Sequence, residues 1–321
     1  VQALREDLAR TRHPSDGGGR AWRDGRPGHV GAGVSGRWTL VYEAGPEAVA
    51  VGAMVFLEVS PFWGGSTPQV QAEDAPGYTE VSTVAEGVVL EPETLGQQLL
   101  GIRVSGRALA PGEQIRIVYG AGLQGARADR YAEGESRFWF SVDGDGDGVR
   151  RLLPDSPAVE VGPGPPARMV LTVPSVARPG EVLPLTLAVL DAVGNAWPVV
   201  EGDVALAATG GASLPESVAL SPEDRGRVVV ELTAAAEGTV SIEAHGPSTL
   251  TGISNPLVVS PALPRVYWGD LHGHSGLSDG TGTPEDYYRY ARDIAALEVA
   301  ALTDHDHWGM ETLSESPELW A

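Results

Sequence analysis

The chain has 321 residues and a formal net charge of −21, and all 22 of its basic residues are arginine. Because it has no cysteine and no lysine, it has no disulfide, thiolate metal site, cysteine nucleophile, Schiff-base lysine or P-loop lysine. The acidic charge argues against broad nucleic-acid binding, and no apolar run approaches the roughly 20 residues of a membrane span.

The two ends of the sequence suggest a fragment. The first residue is Val1 rather than methionine, and the last, Ala321, falls inside a plausible secondary-structure element. We therefore expect the N-terminal part of a longer protein. The sequence does not predict a compartment, because the absence of cysteine fits the cytoplasm and the periplasm alike.

The first part of the chain predicts a flexible lead followed by a β-sandwich. Residues 1–36 are rich in turn formers and have no apolar period, although ALREDLAR is compatible with a short helix. From residue 37, segments rich in β-branched and aromatic residues alternate with turn formers. In GEQIRIVYG the alternation predicts that Ile115, Ile117 and Tyr119 face one side. We predict an antiparallel β-sandwich over residues 37–163.

A second β region follows over residues 164–262. Segments such as EVLPLTLAVLDAVGN, GRVVVELTAA and GTVSIEAHG recur at the spacing of an immunoglobulin-like sandwich. The stretch LDAVGNAW resembles a turn that is common in bacterial immunoglobulin-like modules. The stretch SPALP then provides a short linker.

The pattern changes over residues 265–321, which predict a βαβ unit. RVYWGDLH is typical of a buried strand, and LEVAALTDHDH is typical of a parallel strand covered on both faces. Between them, Thr283 is a good N-cap and Pro284 suits the first helical position. An apolar stripe at helical spacing follows, with members Tyr287, Tyr290, Ala291, Ile294 and Ala295.

Four of the seven histidines fall at the predicted ends of these two strands. His272 and His274 are two residues apart, so in a strand both rings face the same side. Asp304 and His305 follow the second strand, and parallel strands bring their C-terminal ends to one edge of a sheet. A lone His-x-His occurs by chance, and the second pair alone could be a solvated turn. The joint pattern favours a site for Zn, Mn or Fe.

The stretches GDLHGHSGLSDG and LTDHDH resemble the PHP superfamily, named for polymerase and histidinol phosphatase. The match runs from about Tyr267 to His305. A strand-rich region ahead of YWGDLHGHS also resembles bacterial proteins that carry a β-sandwich before a PHP-like domain. The resemblance implies the truncated start of a (β/α)7 barrel that holds up to three divalent ions. Together with the two antiparallel sandwiches predicted before it, this makes a mostly β, multidomain chain.

The resemblance also assigns residues. His272 and His274 match the first pair of ligands, and Asp279 matches a carboxylate or histidine that serves a neighbouring ion. His305 matches the histidine of a Thr-Asp-His element. His307 has no counterpart in the pattern and fits an exposed turn. The implied ligands are His272, His274, Asp279 and His305, and the implied orienting residues are Asp270 and Asp304, the latter also an occasional ligand.

A separate acidic stretch, SVDGDGDGVRRLLPDSP, resembles the front of a calcium loop through Asp143, Asp145 and Asp147. A full EF-hand pattern needs glutamate at the twelfth position, where this chain has Pro154. The stretch therefore fits an acidic turn between strands, with a structural Ca²⁺ as the alternative.

Two functions remain open on the sequence. The first is a divalent-metal-dependent phosphoesterase in which a metal-activated water attacks a small phosphorylated substrate. In that case residues 1–321 alone should bind metal weakly and turn over no phosphoester, because the other ligands of the family pattern fall beyond Ala321. The second is a β-sandwich binding or adhesion module that carries an inactive PHP-like remnant.

Overall fold

The computed structural model describes residues 12–25, 28–96, 98–153 and 155–305. Within these ranges the protein is mostly β and contains two large hydrophobic cores. One core extends from Trp38 to Val161 and the other from Met169 to Val259. A short βαβ unit follows them. No helix in these ranges is long and apolar enough to cross a membrane.

The first β region is an antiparallel sandwich. Its main sheets have the strand orders β1-β4-β9-β6 and β13-β12-β5-β8-β7, and they enclose the first core. Ile115, Ile117 and Tyr119 are fully buried on one face, which confirms the predicted alternation. The strands are β1 (Arg20–Asp24), β2 (His29–Gly31), β3 (Ser35–Gly36), β4 (Trp38–Glu43), β5 (Met54–Glu58), β6 (Thr79–Ser82), β7 (Val89–Gly96), β8 (Leu99–Ser105), β9 (Gln114–Tyr119), β10 (Ala126–Arg127), β11 (Glu133–Arg137), β12 (Trp139–Asp143), β13 (Arg151–Leu152) and β14 (Ala158–Gly162).

Part of the predicted flexible lead belongs to this sandwich. β1 pairs antiparallel with β4, with Trp22 opposite Val41, and β2 pairs parallel with β14. An edge strand is held by backbone hydrogen bonds to its neighbour and needs no apolar period, so the turn-rich composition hid these strands. The helix considered for ALREDLAR lies outside the described residues.

The second β region is also a sandwich built over its own core. Its main sheets have the orders β15-β17-β21-β19 and β20-β18-β23-β24, and a 3₁₀ turn spans Pro222–Asp224. The strands are β15 (Arg168–Thr172), β16 (Val176–Ala177), β17 (Val182–Leu190), β18 (Gly202–Ala208), β19 (Ala212–Ser213), β20 (Ser217–Leu220), β21 (Arg227–Ala234), β22 (Gly238–Val240), β23 (Ile242–His245), β24 (Thr251–Ile253) and β25 (Leu257–Val259).

The βαβ unit consists of β26 (Gly269–Gly273), α1 (Pro284–Asp293) and β27 (Val299–Leu302), and its two strands are parallel. The helix begins as predicted, because Thr283 accepts a hydrogen bond from the Asp286 N–H in a capping box. The strands were expected to be buried, yet Leu271 is 67% and Val299 50% exposed. The described residues place one helix and two strands here, so these faces remain uncovered, and the (β/α)7 barrel stays a prediction.

Helix α1 packs against the second sandwich. Ile294 is buried in a small cluster with Leu190 and its neighbours, and the Tyr290 hydroxyl donates to the carbonyl of Gly194 at 3.0 Å. The Arg227 guanidinium donates to the last helical carbonyl, that of Asp293, at 2.9 Å. This packing fixes the helix that connects the two strands.

Candidate metal centre

Two parallel strands bring the histidine-bearing segments to one edge of the same sheet. β26 ends at Gly273 and β27 ends at Leu302, and these two residues lie opposite each other. The N–H of Thr303 donates to the carbonyl of Gly273 at 2.7 Å. His274 therefore leaves the first strand close to the point where His305 follows the second.

Three of the predicted ligands form a compact cluster beyond these strand ends. His274 Nδ1 lies 2.6 Å from Asp279 Oδ1, and His305 Nε2 lies 3.9 Å from Asp279 Oδ2. One ligand atom from each side chain lies within 4.8 Å of the other two. The hydrogen bond with His274 is the largest cause of a lowered pKa at Asp279, and charge on the two imidazoles lowers it further. Asp279 is thus the centre of the cluster.

His272 lies beside this cluster. Its ring centroid is 5.0 Å from that of His274, so the two rings are neighbours, as the strand geometry predicts. The compact group found among the described residues nevertheless pairs His274 with Asp279 and His305. His272 itself is exposed, and its backbone N–H donates to Asp270 Oδ1 at 3.1 Å. Asp270, expected to orient an imidazole, thus contacts the backbone of His272.

The second ring nitrogen of His274 provides a test of whether the cluster fits an ion. Nε2 is buried and has no hydrogen-bond partner in the part of the chain that the structure describes. Leaving a buried polar atom unpaired costs about 1–3 kcal/mol, which a bound ligand would offset. Two imidazoles and a carboxylate also form a donor set that Zn, Mn and Fe accept. The residues present therefore fit a divalent ion.

Asp304 holds the loop that carries Asp279. Its carboxylate accepts hydrogen bonds from Ser275 N at 2.7 Å, Ser275 Oγ at 2.8 Å and Ser278 Oγ at 2.5 Å. The resemblance implies that Asp304 orients an imidazole or ligates an ion. Instead, both of its oxygens are engaged by two serines, so it positions the backbone between His274 and Asp279.

Two tyrosines connect the helix to the second strand. The Tyr287 hydroxyl donates to the carbonyl of Ala301 at 3.1 Å, and the Tyr288 hydroxyl accepts from the N–H of Leu302 at 3.1 Å. Burial raises the pKa of Tyr287, and the negative charge of Asp270 raises it further. Tyr287 and Tyr288 thus hold α1 against β27.

Gly273 and Gly280 allow close approaches that shape the site. A Cβ on Gly273 would lie 2.2 Å from the Tyr287 ring, and a Cβ on Gly280 would lie 2.1 Å from the carbonyl oxygen of His274. Both distances are far shorter than van der Waals contact. The loop can therefore fold back under His274 only when these positions have no side chain.

Glu133 of the first sandwich reaches the same loop from the opposite side. Its Oε2 accepts hydrogen bonds from Thr281 Oγ1 at 2.8 Å and from Gly282 N at 2.7 Å. Burial raises the pKa of Glu133 to about 7, and the nearby Asp129 carboxylate raises it too. The first sandwich thus contributes a buried carboxyl group that touches the ligand loop.

A cleft of about 260 Å³ separates the first sandwich from the ligand loop. Burial raises the pKa of Glu58, on the sandwich side of the cleft, to about 7. The guanidinium of Arg137 lies over the ring of Trp139, with 5.6 Å between its Cζ and the ring centroid. The wall contains Glu58, Glu133, Arg137 and Trp139 from the sandwich and Ser278 and Asp279 from the loop.

The acidic loop forms a second group with metal-ligand spacing, although its members differ from those predicted. Asp143 accepts hydrogen bonds from Gly146 N and Gly148 N, and burial raises its pKa. The group consists of Asp16, Asp143 and Asp145, whereas the Asp147 carboxylate accepts from Val149 N. Asp16 comes from the predicted lead and accepts from Gly144 N at 2.9 Å. A structural Ca²⁺ here remains a prediction.

Several contributors to the candidate metal centre were missed in the sequence. Ser275 and Ser278 belong to the matched motif, but their bonds to Asp304 depend on the fold. Glu133 lies more than a hundred residues earlier in an acidic chain, and no local pattern singles it out. His307 lies outside the described residues.

No family model matches the sequence, and no curated protein matches it. Among solved structures, the chain is similar to the adhesin InvE of Yersinia pseudotuberculosis, with 10% identity, 75% of this chain and 58% of that chain covered, and a TM-score of 0.25. It is similar to the D0-D1 domain of intimin, with 10% identity, coverages of 75% and 97%, and a TM-score of 0.23. A β-glucuronidase of glycoside hydrolase family 2 gives 15% identity, coverages of 78% and 22%, and a TM-score of 0.30. None of these similarities identifies a function for this chain.

Proposed function

We propose that His274, Asp279 and His305 bind a divalent cation and that this site serves a metal-dependent phosphoesterase. The observation that carries the proposal is the convergence of three ligand atoms within 4.8 Å beyond two parallel strand ends. The Nε2 of His274 is buried and has no partner among the described residues, so this ring nitrogen is also open to a ligand.

Each residue has a separate role in the site. His274 and His305 supply nitrogen ligands, and Asp279 supplies the negative charge. The lowered pKa of Asp279 keeps its carboxylate ionised and ready to bind a cation. Asp304 fixes the backbone between the ligands through Ser275 and Ser278. When bound, a divalent ion lowers the pKa of water and stabilises negative charge on a phosphoryl group.

The phosphoesterase part of the proposal depends on the resemblance and on the cleft. The motif from Tyr267 to His305 resembles the PHP superfamily, whose members are metal-dependent. Arg137 lines the same cleft as Asp279, and its guanidinium, which pairs with Glu135, is the positive group there that can contact phosphate oxygens. The strongly acidic chain favours a small phosphorylated substrate over a nucleic-acid polymer.

Calorimetric titration with MnCl₂ and with ZnCl₂ tests the cation site. We expect the wild-type chain to bind one of these ions and the double variant His274→Ala plus His305→Ala to lose that binding. The matched control is His245→Ala, which removes an exposed histidine from β23 in the second sandwich. Equal binding by the wild type and the double variant would refute the proposal.

A binding or adhesion module is the second candidate. Two observations favour it. The group found among the described residues has three ligand side chains, with His272 beside them, and the two β-sandwiches span most of the part of the chain that the structure describes. If the chain is a binding module, the double variant His274→Ala plus His305→Ala should bind the partner of the sandwiches as tightly as the wild type does. A wild-type chain that binds neither Mn²⁺ nor Zn²⁺ would favour this second function.

A further inference from the structure

The ligand loop between β26 and α1 is fastened at both of its ends. At the first end, Asp304 accepts hydrogen bonds from Ser275 and Ser278. At the second end, Glu133 accepts hydrogen bonds from Thr281 and Gly282. Asp279 lies between the two attachments, so its position depends on both.

Backbone hydrogen bonds within the loop connect the second attachment to the segment that carries Asp279. The carbonyl of Gly282 accepts a hydrogen bond from the N–H of Gly276 at 2.8 Å, which closes the loop across its base. The N–H of Gly280 donates to the carbonyl of Ser275 at 3.0 Å. A shift at Gly282 therefore moves the segment that carries Asp279.

Glu133 is itself held in place by the second sandwich. Asn195 donates from Nδ2 to the carbonyl of Arg130 at 2.9 Å and accepts at Oδ1 from the N–H of Ala132 at 2.9 Å. The Asn195 amide is fixed in turn by Asp191 Oδ2 at 2.7 Å. Glu133 is 7% exposed and begins β11 directly after this bridge. The second sandwich thus holds the backbone that leads into Glu133.

We propose that Glu133 is a positioning residue through which the first β-sandwich holds the ligand loop in its metal-binding conformation. The inference rests on the cation site proposed above and assigns the sandwich a role in forming that site. Positioning requires only that one oxygen of Glu133 accept hydrogen bonds from Thr281 and Gly282. A glutamine side chain retains such an oxygen, whereas alanine does not.

The comparison of Glu133→Ala with Glu133→Gln tests this inference in the full 321-residue chain. We expect Glu133→Ala to weaken Mn²⁺ or Zn²⁺ binding by about tenfold or more, as removal of residues that orient ligands does at other sites. Glu133→Gln should bind within about threefold of the wild type. The matched control is Glu135→Ala, two residues along the same strand, where the side chain is exposed.

A second measurement without metal separates positioning from general stability. Amide hydrogen exchange should rise across residues 275–282 in Glu133→Ala while both sandwich cores keep their protection. If Glu133→Ala does not fold, Thr281→Val tests the same contact from the loop side, because it removes one donor and preserves the side-chain shape. We then expect faster exchange in the loop and weaker metal binding in that variant.

The outcomes separate the inference from the proposed function. A wild-type chain that binds no ion contradicts the cation site, and the exchange data then decide alone whether Glu133 holds the loop. Wild-type affinity in Glu133→Ala, or equal losses in the alanine and glutamine variants, overturns the positioning role. An unchanged exchange rate across residues 275–282 overturns it as well.

Discussion

The Nδ1 of His274 lies 2.6 Å from the Oδ1 of Asp279, five residues further along the chain. The contact joins the residue that follows β26 to the loop that leads into α1. The second oxygen of Asp279 faces His305, at 3.9 Å from Nε2. One carboxylate therefore connects two histidines that are 31 positions apart.

Replacement of Asp279 with asparagine should weaken metal binding while leaving the fold intact. Asparagine has nearly the same shape and retains one oxygen, but it removes the negative charge that attracts a cation. We expect the affinity for Mn²⁺ or Zn²⁺ to fall by about tenfold or more. Calorimetric titration measures the effect, and a melting temperature that matches the wild type confirms that folding is preserved. Unchanged affinity would show that Asp279 is not a ligand.

Removal of the Asp304 carboxylate should loosen the ligand loop. Asp304→Ala leaves Ser275 N, Ser275 Oγ and Ser278 Oγ without their acceptor. We expect a loss of about 1–3 kcal/mol in local stability, because some of these donors are buried. Hydrogen exchange across residues 275–280 reports the effect. Asp203→Ala, at an exposed position in β18, is the control, and equal exchange in the two variants would contradict the role given to Asp304.

A methyl group at Gly280 should displace the loop beneath His274. In Gly280→Ala the new Cβ would lie 2.1 Å from the His274 carbonyl oxygen, so the backbone must move. We expect metal binding to be lost and the melting temperature to fall. Gly134→Ala provides the comparison, because its Cβ would meet only Asp286 Oδ2, at 3.8 Å. Metal affinity preserved in Gly280→Ala would mean that the loop does not have the described conformation.

The buried carboxyl group of Glu133 should make stability depend on pH. Burial, reinforced by the Asp129 charge, raises its pKa from 4.5 to about 7. Between these values the folded protein retains a proton that the unfolded chain has released, so stability is greatest below the unfolded value and falls as pH rises through 7. The loss is about 3 kcal/mol when the shift is converted at 1.36 kcal/mol per unit.

Glu133→Gln isolates this contribution. Since glutamine does not titrate, the variant should show a flatter decline in the free energy of unfolding between pH 5 and 8, measured by chemical denaturation at about six pH values. The residual slope should include Glu58, whose pKa burial also raises. A variant with the same pH dependence as the wild type would contradict the buried, titrating state of Glu133.

Local signals predicted several elements of the fold and part of the site. The Thr283 cap and Pro284 marked the start of α1, and the alternation around Ile117 marked a buried strand face. The two-residue spacing of His272 and His274 predicted neighbouring rings. In each case the pattern lies within a few residues, so the sequence alone contains the information.

The sequence did not predict contacts between residues that lie far apart along the chain. β1 was missed because it is stabilised by pairing with β4 rather than by an apolar pattern of its own. Asp304 was expected to orient an imidazole or to bind an ion, but it accepts hydrogen bonds from the N–H and the hydroxyl of Ser275. Glu133 contacts Thr281 across 148 positions, a separation that no spacing rule detects. Such contacts depend on how the two sandwiches and the βαβ unit pack together.

The most direct test of the central claim is an anomalous difference map from crystals grown with Zn²⁺ and measured above and below the zinc absorption edge. We expect a peak bound by His274, Asp279 and His305, in place of the present contact between His274 and Asp279. A fully occupied zinc peak elsewhere, with these three side chains unchanged, would contradict it.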